Sequence, residues 1–146
     1  KDADEGFTFY TNMESAKGRQ LLANPPVALN FHWKSIRRQV RVRGIAEVLD
    51  DRTADEYFKR RDRGSRIGAW ASQQSRPMSD PDILKTRVAD YEALFEERDV
   101  PRPKFWSGFR VLPQTIEFWV NRPFRLHDRK KFYLESGRWR TERLYP

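Results

Sequence analysis

Apolar and polar residues alternate over much of this chain. The alternation is clearest from Arg37 to Leu49, where Val40 and Val42 fall on one side and Gln39, Arg41 and Arg43 on the other. That is the pattern of an antiparallel strand with one wet face. A partner strand is predicted at Val27 to Trp33, joined to it around Lys34-Ser35, and Gly44 is expected to mark a bulge. Upstream, the aromatic and β-branched run Gly6 to Thr11 follows the turn-forming Asp4-Glu5-Gly6. It reads as the second strand of a hairpin, so the chain is expected to begin inside its domain. The C-terminal third predicts a meander: Phe109 to Leu112, Gln114 to Val120, Arg125 to Leu134 and Arg138 to Leu144, with Ser136-Gly137 as the last hairpin turn.

Between the strands the period changes to that of a helix. Glu14 to Ala23 is helical, with Asn12 or Ser15 available as its cap and Asn24-Pro25-Pro26 ending it. Asp51 or Thr53 can cap a second helix reaching Arg61, and a third runs from Ser65 to Ala71 after Gly64. Asp80-Pro81 opens a fourth, whose Leu84, Val88, Tyr91 and Phe95 form one apolar stripe and read as scaffold. Many short strands with a few helices between them define a mainly β chain, an antiparallel barrel with helices packed outside. At 146 residues a single domain is expected.

Composition narrows the partners. The chain carries 29 Lys and Arg against 21 Asp and Glu, a net charge of +8, so its surface attracts anions. Aromatic residues make up 14%, which argues against disorder despite a mean hydropathy of -0.90. The absence of cysteine excludes disulfides, thiolate catalysis and Cys-based zinc sites, and it fits a reducing compartment. No apolar run approaches the roughly 20 residues of a membrane span, and no signal-peptide pattern opens the chain. A soluble cytoplasmic protein is expected, without membrane or metal.

Polar groups are densest just past Pro123, at Arg125-Leu126-His127-Asp128-Arg129. On an extended backbone Arg125, His127 and Arg129 share a face suited to an anion, with Leu126 and Asp128 on the other. A solvated edge strand whose charges deter aggregation is the competing reading. A second cluster lies in the helical region. Tyr57 and Arg61 are four apart and so share a helix face, and Ser65 follows, giving a guanidinium and two hydroxyls to clamp a phosphate.

The run Glu117-Phe118-Trp119, followed by Arg125-Leu126-His127-Asp128-Arg129, resembles the C-terminal signature of the pyridoxamine (pyridoxine) 5'-phosphate oxidases. Tyr10-Thr11-Asn12, Arg38-Gln39-Val40, Tyr57 to Trp70, Gln74-Ser75 and Glu142 to Pro146 resemble that family in the same order, covering nearly the whole chain. The resemblance implies a split-barrel flavoprotein that is a homodimer with FMN sites at the subunit interface. It would oxidise pyridoxamine or pyridoxine 5'-phosphate to pyridoxal 5'-phosphate with dioxygen, releasing hydrogen peroxide. It further implies FMN contacts from Tyr10, Thr11, Lys17, Gln39, Gln74, Ser75, Trp119 and Arg129. Contacts to the phosphorylated vitamer are implied for Lys1, Tyr57, Arg61, Ser65, Arg125, Leu126 and His127, with Arg125 and His127 at the reacting end.

Some positions depart from the family. Lys1 corresponds to the last residue of a family strand Arg-x-Val-Leu-Leu-Lys, but the turn after it is one residue shorter here. Ser15-Ala16-Lys17 stands where the family has Ser-Arg-Lys, which removes one expected contact to the FMN phosphate unless Arg19 supplies it. Around the phosphate clamp, Lys59, Arg60, Asp62, Gly64 and Arg66 replace the family's residues and leave substrate selectivity open. Two other functions fit the composition. One is a split-barrel flavin oxidase of the phenazine pathway; the other is a basic nucleic-acid-binding barrel, which would be colourless and bind oligonucleotides with steep salt dependence.

Overall fold

The computed structural model describes residues 6–146; Lys1 and the turn expected at Asp4-Glu5 lie outside the described residues. Strands and helices follow the order β1 (Phe7–Asn12), α1 (Ala16–Ala23), β2 (Pro26–Trp33), β3 (Arg38–Val48), α2 (Asp51–Lys59), α3 (Arg63–Ala71), α4 (Pro81–Leu94), β4 (Trp106–Val120), β5 (Asp128–Glu135) and β6 (Arg138–Leu144). The strands form one six-stranded sheet in the order β2-β3-β4-β5-β6, with β1 paired to β4. Pairing is antiparallel between β2 and β3, from Pro26 opposite Ile45 to Trp33 opposite Arg38. It is antiparallel again from β4 to β5, with Trp119 opposite Arg129, and from β5 to β6.

The chain divides into two compact units, one comprising Pro25–Glu47 and Arg110–Pro146 with the start of β1, the other Thr8–Asn24 and Val48–Phe109. In the first, alternation along β3 buries Val42 and Ala46 and leaves Arg41 and Arg43 exposed. In the second, Ile67, Phe95 and Val100 form a buried cluster backed by Trp70, Val88 and Tyr91. The α4 stripe therefore does its scaffold work through Val88, Tyr91 and Phe95, whereas Leu84 is exposed.

Several local expectations are corrected. Gly44 stays in register opposite Val27 and makes no bulge. Glycine is needed there because an added Cβ would lie 2.0 Å from the Leu112 carbonyl oxygen, a backbone atom that has no rotamer to move. Gly44→Ala should cost about 3 kcal/mol of stability, the scale of a forced backbone shift in a packed interior. A urea unfolding midpoint equal to wild type would refute this.

Pro113 does not divide β4. A proline removes one ladder donor, and the registered pairing to β5 begins beyond it, at Thr115. The helix predicted through Arg61 ends at Lys59 and is capped by Asp50, whose carboxylate accepts from the Thr53 amide at 2.9 Å. Arg61 therefore does not share a helical face with Tyr57. Helix α3 starts two residues before Ser65, capped by Asp62. The cap of α1 is Ser15, whose side chain accepts from the Gly18 amide.

The largest correction falls past Pro123. Pro123–Arg125 is a 3-10 turn in which Phe124 and Arg125 have φ of 57° and 63°. The extended backbone begins only at Asp128. Pro123 locks φ and enters the turn, so the strict alternation expected for Arg125, His127 and Arg129 does not hold. The final hairpin is as predicted, with positive φ at both Ser136 and Gly137, the geometry of a type I′ turn.

Candidate active site

Two groups of residues stand out, one within each unit. In the Thr8–Asn24 and Val48–Phe109 unit, Gln74 is tied back to β1. Its side-chain carbonyl accepts from the Thr11 hydroxyl at 3.3 Å and from the Asn12 amide at 3.1 Å. Residues 62 and 63 positions apart in sequence are thus joined, and the Gln74 amide nitrogen remains as a donor. Ser75 follows with φ of 70°, a conformation that non-glycine residues adopt rarely and mostly where function requires it.

Thr11 and Ser15 are buried, their hydroxyl oxygens 3.5 Å apart. Lys17, in the first turn of α1, is exposed and carries its ammonium 5.2 Å from the Phe9 ring centre. Arg19 donates to the carbonyl of Glu14, so its reach goes into its own loop. Lys17 with the free amides of a capped helix N-terminus offers charge and donors to a phosphate.

The same unit holds the predicted clamp. Tyr57 stacks on Tyr10 with ring centres 3.7 Å apart and planes 3° from parallel. The Arg61 guanidinium lies 4.9 Å from the ring centre of Trp106 and 5.6 Å from that of Phe58. Its Nη1 is buried without a hydrogen-bond partner among the described residues. Such an orphaned donor is costly to leave unmatched and calls for an explanation. Ser65 is differently engaged: its hydroxyl donates to Asp62 Oδ2 at 2.7 Å and its amide to Oδ1 at 2.7 Å. These two bonds hold the Asp62 carboxyl below its ordinary value.

In the other unit, His127 packs on Trp119 with ring centres 4.6 Å apart. Its Nδ1 accepts from the Arg122 amide at 3.3 Å, so the neutral ring carries its proton on Nε2. Asp128 is gripped by Arg122 through Nε at 2.7 Å and Nη2 at 2.6 Å. That fork, and the absence of a bond between His127 and Asp128 among the described residues, leaves no hydrolase dyad. Arg125 and Leu126 are exposed on the turn before them.

Arg129 is held at two of its nitrogens: Nε donates to Glu117 Oε1 at 2.8 Å and Nη1 to the Tyr145 carbonyl at 2.9 Å. The same Glu117 oxygen accepts from Arg41 at 2.6 Å. Arg41, Arg43, Glu117, Arg129 and Lys131 help line a basic depression of about 450 Å³. Gln39 lies two residues before Arg41 on β3, on the same side of the strand.

Burial raises the Glu117 carboxyl, but the hydrogen bonds from Arg129 and Arg41 outweigh it and leave the group below its ordinary 4.5. A depressed carboxylate stabilises the fold above the unfolded value, and that stability is lost as pH falls through the folded one. Wild type should therefore be more stable than Glu117→Gln near neutrality, the gap closing below about pH 4. Parallel acid-unfolding curves for the two proteins would count against this account.

Thr11 and Asn12 are thus brought to Gln74, and Tyr10, Tyr57 and Arg61 together around Trp106, while Trp119, His127 and Arg129 gather around β4 and β5. Sequence reasoning missed Trp106 and the Arg41–Glu117–Arg129 bridge. The only signals were an isolated tryptophan after Pro103 and a glutamate on a strand rich in facing cations. Among the described residues no group of His, Asp or Glu could hold a metal ion. Among the described residues no helix is long and apolar enough to cross a membrane.

The mainly antiparallel sheet with four α-helices among the described residues is the fold of FMN-binding split-barrel proteins. The chain belongs to the pyridoxamine 5'-phosphate oxidase family, whose model matches residues 3–95, and residues 106–146 match the family's C-terminal dimerisation region. Among its relatives, the pyridoxine/pyridoxamine 5'-phosphate oxidase of Rhodospirillum rubrum is 58% identical over 145 residues, 99% of this chain and 72% of that protein. The enzyme of the same name from Zymomonas mobilis is 54% identical, over 97% of this chain and 74% of its own length. PhzG from Burkholderia lata, solved with tetrahydrophenazine-1-carboxylic acid, superposes with a TM-score of 0.90 at 29% identity, over 97% of this chain and 69% of its own. An FMN-binding protein from Nostoc punctiforme shares the fold, with a TM-score of 0.73 at 15% identity over 95% of this chain and 72% of its own.

Proposed function

We propose that this chain, as a homodimer with FMN at the subunit interface, oxidises the 4' carbon of pyridoxamine or pyridoxine 5'-phosphate to pyridoxal 5'-phosphate. The observation that supports this reading is the Nη1 of Arg61, buried and without a hydrogen-bond partner among the described residues, on a guanidinium that lies over Trp106, the ring near which Tyr57 also stacks. A dianionic phosphoester would satisfy that nitrogen and offset the cost of burying the charge. Ser65 completes the clamp by turning its hydroxyl from Asp62 to the ester.

The residues present also fit FMN. By resemblance Thr11, Lys17 and the N-terminus of α1 would hold its phosphate, Lys17 and the helix amides supplying the charge and donors while the Thr11 hydroxyl stays on Gln74, which has a side-chain N–H group to offer. Gln39, Trp119 and Arg129 would meet the ring system. FMN would supply the hydride acceptor and a two-electron route to dioxygen that yields hydrogen peroxide, and with the amine substrate water would then release ammonia from the oxidised carbon to leave the aldehyde. By resemblance Arg125, exposed on its turn, would lie against the vitamer and stabilise negative charge at the reacting end. The Nε2 proton of His127 is a donor to the substrate oxygen or nitrogen.

The test is to load the purified protein with FMN, remove excess, and follow peroxide release with pyridoxamine 5'-phosphate, pyridoxine 5'-phosphate and the phosphate-free vitamers. Turnover confined to the phosphorylated forms is expected. The likeness to PhzG supports a second reading, oxidation of a reduced phenazine carboxylate. Turnover of that class, with none of the phosphorylated vitamers, would replace the first reading. A colourless protein that cannot be loaded would refute both.

A further inference from the structure

We propose that Trp106 is a positioning residue for the substrate phosphate, holding Arg61 and Tyr57 in their clamp geometry. The inference rests on the clamp assignment above. Trp106 is 7% exposed and sits in a near-parallel stack, its ring centre 5.4 Å from Tyr10 and 6.3 Å from Tyr57, with planes within 10°. Phe58 meets it edge-on at 5.0 Å. The guanidinium of Arg61 lies over the indole, which gives Arg61 an electrostatic hold that costs none of its hydrogen-bond donors. Those donors remain for the ester.

The indole is itself fixed at its backbone. Arg102 donates to the Trp106 carbonyl at 2.7 Å while its other nitrogens reach Asp55 and Asp51 of α2, each at 2.6 Å. The helix that carries Tyr57 is thereby stapled to the residue under Arg61. A salt bridge between an acid and Arg61 would hold the guanidinium equally well but would cancel the charge the phosphate needs. An aromatic face avoids that cancellation.

The experiment compares Trp106→Leu, Trp106→Phe and Arg61→Ala in the FMN-loaded protein. Equilibrium dialysis measures binding of pyridoxal 5'-phosphate and of phosphate-free pyridoxal, steady-state assays give KM and kcat, and thermal melts report folding. Trp106→Leu should weaken binding of the phosphorylated form about tenfold, the equivalent of ~1.4 kcal/mol of cation–π and stacking energy, with kcat within about twofold. Binding of the phosphate-free form should not move. Trp106→Phe keeps a smaller face and should lose about threefold.

Equal losses for both vitamer forms, or unchanged phosphate-form binding in a folded Trp106→Leu, would overturn the proposal. If the leucine variant fails to fold, unchanged binding in Trp106→Phe would do the same. Should Arg61→Ala bind the phosphorylated form as wild type does, the clamp assignment itself fails. A loss in Arg61→Ala with none in the Trp106 variants rejects only the role of Trp106.

Discussion

Arg61→Ala is expected to raise KM for pyridoxine 5'-phosphate about a hundredfold, the effect of losing ~3 kcal/mol of charge-assisted hydrogen bonding. Turnover at saturation should change little, because the phosphate lies away from the reacting carbon and is bound alike in ground and transition states. The fold should not suffer. Removing Arg61 also removes a buried donor that has no hydrogen-bond partner among the described residues, so the melting temperature should hold or rise. Ser65→Ala should cost less in KM, since a neutral hydroxyl binds a phosphate more weakly than a guanidinium and must first give up its bond to Asp62. An Arg61→Ala enzyme with wild-type KM would remove the main support for a phosphorylated substrate.

The second large effect is expected at the other end of the vitamer. Arg125→Ala should lower peroxide release about a hundredfold, the usual scale for losing one group that stabilises transition-state charge. Flavin content should stay near wild type, because Arg125 is assigned to the substrate and Arg129 to the cofactor. Measured as bound FMN per chain beside kcat, equal losses of both would show that Arg125 has been given the wrong role. Its φ of 63° adds a second expectation: Arg125→Gly relaxes the backbone but removes the charge, and should be as inactive as the alanine variant.

How much of this was legible beforehand differs from element to element. The β3 alternation, the Asp80-Pro81 start of α4 and the Ser136-Gly137 turn were readable because each is a local signal, set by pleat, cap or turn chemistry. Elsewhere local rules misled. Tyr57 and Arg61 looked like helix neighbours, yet the helix ends between them and an indole more than forty positions away holds the arginine. Arg125, His127 and Arg129 looked like one strand face, yet Pro123 opens a left-handed turn. Gly44 looked like a bulge, yet its reason is the carbonyl of Leu112.

The resemblance of its motifs, in their order, implied the family. The charge balance implied a surface that attracts anions and the absence of cysteine excluded thiolate and disulfide chemistry, both of which follow from residue types that the chain carries without folding. The tertiary structure decided which donors are left unspent. It showed one nitrogen of the half-buried Arg61 enclosed without a partner among the described residues, Ser65 already bonded to Asp62, Asp128 held by Arg122 and Glu117 shared by two arginines. Hydrogen-bond satisfaction is a property of three-dimensional neighbours, and no one-dimensional pattern encodes which polar atoms will find one another.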